Sequence, residues 1–281
     1  MPYDMKGKIV LITGACGGIG YQTALELSRA GAKTVVVCRE AAQCEVARES
    51  FSAEGGGEDI EALSCDLGSQ RQIRALAEAF KKRHDRLHVL INDAATVPAR
   101  RTLTEDGLET QFAVNHLAYF LLTNLLLDVL KAAAPARIVN VSSGMHRRAK
   151  LDFDALQAEK SYRPMAQYAL TKLLNVHFTY ELARRLEGTG VTANTLSPGF
   201  TSTGLGRSYG PFSRWVMRKY GKSVAHGADT VVYLAASPEV EGVSGTYFSK
   251  RKPEKTAPGT YDPAASARLW GLCEELTRPR P

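Results

Sequence analysis

Tyr168 and Lys172 stand four residues apart in Met165-Ala-Gln-Tyr168-Ala-Leu-Thr-Lys172-Leu-Leu-Asn175, a stretch that reads as helix. At that spacing two side chains share one helix face, about 5–6 Å apart at Cβ. A fixed ammonium favours the phenolate and so lowers the pKa of a neighbouring phenol. Such a phenol can exchange a proton with a carbonyl oxygen near neutral pH. With 11 Tyr in the chain, about half a Tyr-x-x-x-Lys is expected from composition alone. The pair therefore gains its weight from other residues.

Ser142 and Ser143 close the apolar run Arg137-Ile-Val-Asn-Val141. A hydroxyl at the carboxyl end of a parallel strand lies on the rim where open α/β sheets bind ligands. Ser143 could donate there to a carbonyl oxygen; taken alone it reads equally as a turn cap. Asn115, in Phe112-Ala-Val-Asn115-His-Leu, is a poor helix former on an apolar face, the mark of a specific buried task. Pro198 and Gly199 turn the chain sharply after Leu196, and Thr201 and Thr203 follow. Their backbone and hydroxyls could hold a carboxamide and a phosphate. His146 reads as a surface residue, or as one reaching a substrate pocket.

A second group of residues points to a dinucleotide. Thr13-Gly14-Ala-Cys-Gly-Gly18-Ile19-Gly20 lies between an apolar run and a helical pattern. Glycines there permit a tight turn and let backbone approach a pyrophosphate, while the helix N-terminus offers free N–H groups. Gly14, Gly18, Ile19 and Gly20 are the expected contacts. The next strand ends in Cys38-Arg39, and an Arg at that point suits a ribose 2′-phosphate, where an acidic residue would suit a 2′-hydroxyl. Asp66, before Leu67, could accept from an adenine amino group, or cap a helix. Asn92 ends another strand, and small residues from Ala94 on leave room for adenosine.

These residues need a scaffold that brings strand ends together. Strand and helix patterns alternate from Lys8 to about Ala236: strands at 8–13, 34–38, 60–64, 87–92, 137–142, 191–196 and 245–248, helices at 19–30, 41–53, 69–83, 104–131, 165–186 and 224–236. Alternation of this kind predicts right-handed βαβ units, hence an α/β fold with a doubly wound parallel sheet, Rossmann-type, flanked by helices on both faces. With no repeat or linker, residues 1–281 read as a single domain. The irregular stretches 149–164 and 200–222 read as substrate walls or a lid. Phe200, Tyr209, Phe212, Trp215 and Met217 give that lid an apolar lining, or are ordinary packing.

Composition sets outer limits. The chain of 281 residues is 44% apolar and 23% charged, ordinary for a globular protein. No apolar run reaches the roughly 18 residues of a membrane span, and the start, Met1 to Lys8, has no targeting core. The five cysteines form no Cys-x-x-Cys pair; they predict a reducing, cytoplasmic setting without disulfides or zinc. Cys38 and Cys65 read as small buried hydrophobes. A net charge of +7 comes without an aromatic-interleaved basic stripe, so no nucleic-acid partner is expected.

Thr-Gly-x-x-x-Gly-x-Gly, Asn92-Asp-Ala-Ala95, helical Asn115, Ser143, Tyr168-x-x-x-Lys172 and Pro198-Gly199, in that order, resemble the short-chain dehydrogenase/reductase family over about residues 7–248. Cys38-Arg39-Glu40, Gly107 to Leu117, Val139 to Ser143 and the 25-residue step from Ser143 to Tyr168 are similar to its retinol-dehydrogenase-like branch. Asp93 and Ala95 depart from the family's Asn-Asn-Ala-Gly. The resemblance implies an NADP(H)-dependent oxidoreductase acting on lipophilic carbonyls or alcohols. It implies that Tyr168 exchanges the substrate proton, that Lys172 lowers the phenol pKa and binds the nicotinamide ribose, that Ser143 polarises the carbonyl, and that Asn115 holds a relay water. It also implies a homo-oligomer, with the apolar helix from Leu117 to Leu130 as an interface. A non-catalytic NADP(H)-binding sensor of the same fold is the alternative, since fold does not fix function; an epimerase or dehydratase is a further one.

Overall fold

A computed structural model describes residues 3–57, 59–199 and 223–279. These residues build one eight-stranded sheet in the order β3-β2-β1-β4-β5-β6-β7-β8. The strands are β1 Ile9–Thr13, β2 Lys33–Cys38, β3 Ile60–Ser64, β4 Val89–Asn92, β5 Ala136–Val141, β6 Val191–Ser197, β7 Tyr247–Ser249 and β8 Lys252–Pro253. All pairings are parallel except that of β7 with β8.

The period of two along each strand sends alternate side chains to opposite faces. Val10 and Ile12 join one core with Val36, Ile91 and Val139, under helices α1 Gly18–Arg29, α2 Ala41–Ala53 and α8 Val224–Ala236. Leu11 joins the other with Val35, Leu90 and Ile138. That second face carries α3 Gln70–Lys81, α4 Thr110–Phe112, α5 Ala118–Leu125, α6 Leu127–Ala132, α7 Pro164–Arg185 and α9 Pro263–Leu276. Both cores are therefore made by the same strands, which is what a sheet covered on two faces requires.

The expected long helix over 104–131 is broken. Leu103 bridges to Glu109, whose carboxylate accepts the N–H groups of Gln111 and Phe112, both at 2.8 Å. Helix geometry starts only there. It passes through a π-turn at Ala113–Leu117 and stops at Leu126 before α6. Its apolar residues, Leu117 to Leu122 with Leu126, Val129 and Leu130, lie inside the chain's own core, so their apolarity no longer argues for an interface between copies. Strand β8 and helix α9 lie beyond the alternating patterns of the sequence. Asp262 caps α9 by accepting from Ala264 and Ala265, Pro263 opens it, and Trp270 packs on Phe120 and Phe178. That cap, proline and apolar spacing are a readable helix signal.

The cysteine expectation is also corrected. Cys16 and Cys38 form a disulfide, with Cα atoms 5.7 Å apart. The cause is the glycine turn folding back over the sheet. Gly14 and Ala15 both donate their N–H to the Val37 carbonyl, at 3.1 and 3.4 Å, which lays Cys16 beside the end of β2. Cys44, Cys65 and Cys273 are buried free thiols.

Candidate active site

Six strand ends converge on one edge of the sheet. Thr13 is in register with Val37 and Asn92, Asn92 with Asn140, and Val141 with Leu196. Gly14, Arg39, Asp66, Ser143 and Pro198 follow these strands directly and share that edge.

Gly14 has φ +74, and a Cβ there would lie 2.7 Å from the Ala94 Cα. Only glycine meets both constraints. Helix α1 then begins at Gly18 with Gly17 as its cap, a residue that has no side chain to accept the first amides. Open backbone amides at a helix N-terminus suit a phosphate group. Ile19 gives its side chain to the core and so leaves only backbone to this surface. Across the groove, Arg39 Nε lies 3.6 Å from Asp66 Oδ2, with the side chains 72% and 39% exposed. Asp66 also accepts the Gly68 N–H at 2.9 Å; the cap of α3 is Ser69, which accepts from Gln72. Leu67 is buried beneath them. These residues fit a dinucleotide: an uncapped turn for the pyrophosphate, an exposed guanidinium for a phosphate and an acceptor for an amine.

Asn92 is at the edge, and its side chain faces inward. Its Nδ2 donates to Thr123 Oγ1 at 3.1 Å and Asn140 Oδ1 at 2.9 Å. Asn140 donates in turn to Thr179 at 3.0 Å, and Thr179 to the Asn175 carbonyl at 2.7 Å. Asn175 Nδ2 donates to the Asn115 carbonyl at 2.9 Å, and its Oδ1 meets His116 Nδ1 at 2.9 Å. This buried chain of amides pins sheet, α7 and the π-turn to one another. Asn140, Asn175 and His116 escaped sequence reading, although Asn in an apolar strand or helix is the same signal that marked Asn115.

Asn115 is fully buried. Its Oδ1 accepts the Thr96 N–H at 2.7 Å, and its Nδ2 donates to the Thr96 carbonyl at 3.0 Å and Thr171 Oγ1 at 3.3 Å. Both side-chain atoms are thus partnered within the protein, and Asn115 clamps the segment after β4. Ser142, one residue before Ser143, donates to the Lys172 carbonyl at 2.7 Å and ties β5 to α7.

Tyr168 and Lys172 share the inner face of α7. Lys172 is 1% exposed. Its Nζ donates to the Val141 carbonyl at 2.8 Å and sits 5.6 Å from the Tyr168 ring centre and 5.4 Å from that of Tyr119. Burial lowers the pKa of its ammonium, and the Asp93 carboxylate acts to raise it. The Tyr168 phenol faces the Ser143 side chain. Its pKa is nevertheless pushed up to about 12: burial is the largest cause, the Ser143 side chain opposes it, and Asp93 adds to it. Burial outweighs any easing of the phenol's ionisation expected from Lys172, whose ammonium lies over the ring and donates to the Val141 backbone.

His146 is neither a surface residue nor a pocket residue. It is fully buried, with Nδ1 2.7 Å from the Ser143 carbonyl and Nε2 accepting the Ala257 N–H at 3.3 Å. It therefore anchors the Ser143 backbone to the C-terminal segment. Gly199 has φ +82 and donates to Ser197 Oγ at 3.2 Å, and Gly144 donates to the same oxygen at 3.1 Å. Pro198 lies between. Thr201, Thr203 and the aromatic residues expected in a lid fall outside the described residues. A groove of about 1080 Å³ opens at the opposite sheet edge, among Lys8, His88, Arg137 and Thr192, away from these groups.

Residues 8–212 match the family model of the short chain dehydrogenases, and the chain belongs to this family. It is an oxidoreductase whose fold binds a nicotinamide cofactor. Within the family it lies on the retinol-dehydrogenase-like branch. It is 44% identical over 291 residues to retinol dehydrogenase 14 of Mus musculus, covering 98% of this chain and 87% of that one. To retinol dehydrogenase 13 of Homo sapiens it is 43% identical over 284 residues, covering 97% and 85%. Among solved structures, an uncharacterized protein from Mycobacterium Paratuberculosis superposes with a TM-score of 0.81 at 29% identity, over 99% of this chain and 97% of that one. No helix among the described residues is long and apolar enough to cross a membrane.

Proposed function

We propose that the protein is an NADP(H)-dependent reductase of lipophilic or aromatic ketones and aldehydes, working in reverse on the matching secondary alcohols. The observation that carries this reading is the placement of Lys172 Nζ 5.6 Å from the Tyr168 ring, with the phenol facing Ser143, on the sheet edge that also holds the glycine turn before α1. The bound nicotinamide would supply or accept the hydride. Ser143 and Tyr168 would together grip the substrate oxygen, and Tyr168 would pass it a proton. Lys172 has three N–H donors and gives one to Val141, which leaves two for ribose hydroxyls. Arg39 would meet a 2′-phosphate and Asp66 an adenine amine. Gly14, Gly18, Ile19 and Gly20 would carry the pyrophosphate through backbone, and Pro198, Gly199, Thr201 and Thr203 the carboxamide side. Asn92, Ala94 and Asn115 would hold the wall behind the adenosine and nicotinamide.

The preference for lipophilic substrates rests on the aromatic content of 200–222 and on relatives named for retinol, a lipophilic alcohol. Residues 1–281 would act as one catalytic domain with 200–222 as its lid. The test is oxidation of NADPH, and of NADH in parallel, over aromatic ketones, quinones, retinoids and steroids. Turnover with NADPH ahead of NADH is expected. Tight NADPH binding with no turnover of any probe would favour the sensor instead, and preference for NADH would remove the role given to Arg39.

A further inference from the structure

The glycine turn carries a covalent tie to which hydride transfer gives no task. Cys16 lies between Gly14 and Gly18, and Cys38 directly precedes Arg39. Their disulfide, with Cα atoms 5.7 Å apart, therefore joins the two segments assigned to the phosphates of the cofactor. The two cysteines differ in freedom. Cys38 is 3% exposed. Its strand pairs with β1 on one side and β3 on the other, and its carbonyl accepts the Cys65 N–H at 2.7 Å. Cys16 is half-buried and stands beside exposed Gly17. Backbone hydrogen bonds fasten the turn to the Val37 carbonyl at Gly14 and Ala15. Beyond them, among the described residues, no hydrogen bond ties Cys16 or Gly17 to the sheet, so the sulfur bridge is the bond that holds this part of the turn against β2.

We propose that Cys16–Cys38 is a redox modification site that sets cofactor affinity: oxidised, it fixes the turn in the shape that receives the pyrophosphate; reduced by a dithiol, it lets the turn loosen and the cofactor bind more weakly. The chemistry is thiol–disulfide exchange, and access selects the sulfur attacked. A thiolate of the dithiol attacks Cys16 Sγ. The S–S bond breaks, and its electron pair leaves on Cys38 Sγ, which takes up a proton. The second thiol of the dithiol then attacks the dithiol's own sulfur in the mixed disulfide, and Cys16 leaves and takes up a proton. The protein gains two electrons and two protons, and the dithiol becomes a cyclic disulfide; an oxidised dithiol runs the exchange backwards. Cys44, Cys65 and Cys273 are buried and stay outside it. A loop already held in its bound shape binds without the cost of ordering it. The effect is reciprocal, so a cofactor that prefers the oxidised protein also makes the bridge harder to reduce. The proposal rests on the glycine turn receiving the pyrophosphate, and it adds control by oxidation state to that reading.

The experiment equilibrates the full chain in buffers of oxidised and reduced dithiothreitol, counts the bridge by alkylation and intact mass, and titrates NADPH and NADH into each form. The dissociation constant is expected to rise about three- to tenfold on reduction. Saturating NADP⁺ should lower the midpoint potential of the bridge by about 15–30 mV, the same fold-change converted at about 30 mV per tenfold for two electrons. Cys16→Ser and Cys38→Ser should bind as the reduced protein does in both buffers. Free alkylation of Cys16 and Cys38 in the oxidising buffer overturns the proposal, as does equal or tighter cofactor binding after reduction. A Cys16→Ser protein whose affinity still responds to dithiothreitol overturns it too. The potential of the unsubstituted protein needs no variant to fold, and an unshifted midpoint under NADP⁺ is itself decisive against the proposal. The difference between redox states is read with whichever of NADPH and NADH binds more tightly, and without turnover. Its failure is therefore distinguishable from loss of the NADPH preference or of the proton donor.

Discussion

The two halves of the site are built to different standards of rigidity. The half from β1 to β3 offers backbone amides and an exposed Arg39–Asp66 pair, 72% and 39% open. The half from β4 to α7 encloses Lys172 at 1% exposure and Asn115 and Asn175 at 0%, each with fixed partners. An exposed pair in water contributes little to stability and can turn to meet a ligand. A buried, fully bonded network holds its geometry but is costly to interrupt. Under the proposed function this is a division of labour: affinity would be tunable at one end, while the chemistry at the other would depend on packing far from the reacting atoms.

The most severe way to break the contrast is Lys172→Met. It should reduce turnover on the order of 10²–10⁴-fold and also weaken NADPH binding, in assays that measure both. Next is Asn175→Ala, remote from any ligand, which strips partners from the Asn115 carbonyl and His116. Unfolding by urea should show a loss of about 1–3 kcal/mol, with turnover falling and NADPH affinity little changed. Arg39→Ala tests the other half. Loss of a charge-assisted phosphate contact of about 1.5–3 kcal/mol predicts a rise in KM for NADPH of about ten- to a hundredfold. The KM for NADH and the melting temperature should stay near their original values. A matching loss of stability in Arg39→Ala would erase the distinction.

The smallest effect sharpens it. Glu181, 9% exposed, pairs with Arg184 and Arg185 on α7 at 2.6 and 2.7 Å. Its pKa is lowered: burial opposes the change, and the hydrogen bonds and charges of the two arginines overcome it. A depressed folded-state pKa adds stability above the unfolded value and loses it as pH falls through the folded value. Glu181→Gln should therefore cost about 1 kcal/mol or less near neutral pH. The gap from the unsubstituted protein should close below the carboxylate range in melting curves taken across pH.

Legibility followed the same division. The glycine turn, Arg39, Asp66 and Tyr168-x-x-x-Lys172 are local patterns whose chemistry depends on neighbours in sequence, and the alternating elements sufficed to gather them on one edge. The roles of Asn92, Asn115 and His146 could not be read this way, since each is set by a partner far along the chain: Asn140, Thr96 and Ala257. The 104–131 stretch was apolar enough for one helix, but Glu109 caps a later start by accepting from Gln111 and Phe112, and a π-turn follows. The Cys16–Cys38 pairing depended on the fold-back of the glycine turn, which spacing alone does not show. Helix α9, by contrast, carried its own signal in Asp262, Pro263 and the apolar positions that follow.

The central claim is that one phenol, facing Ser143 and flanked by Lys172, passes the proton. The direct test is turnover of NADPH with a reactive ketone by Tyr168→Phe, with NADPH affinity measured on the same preparation. The account predicts near-complete loss of turnover with cofactor binding preserved. Substantial remaining turnover would contradict it.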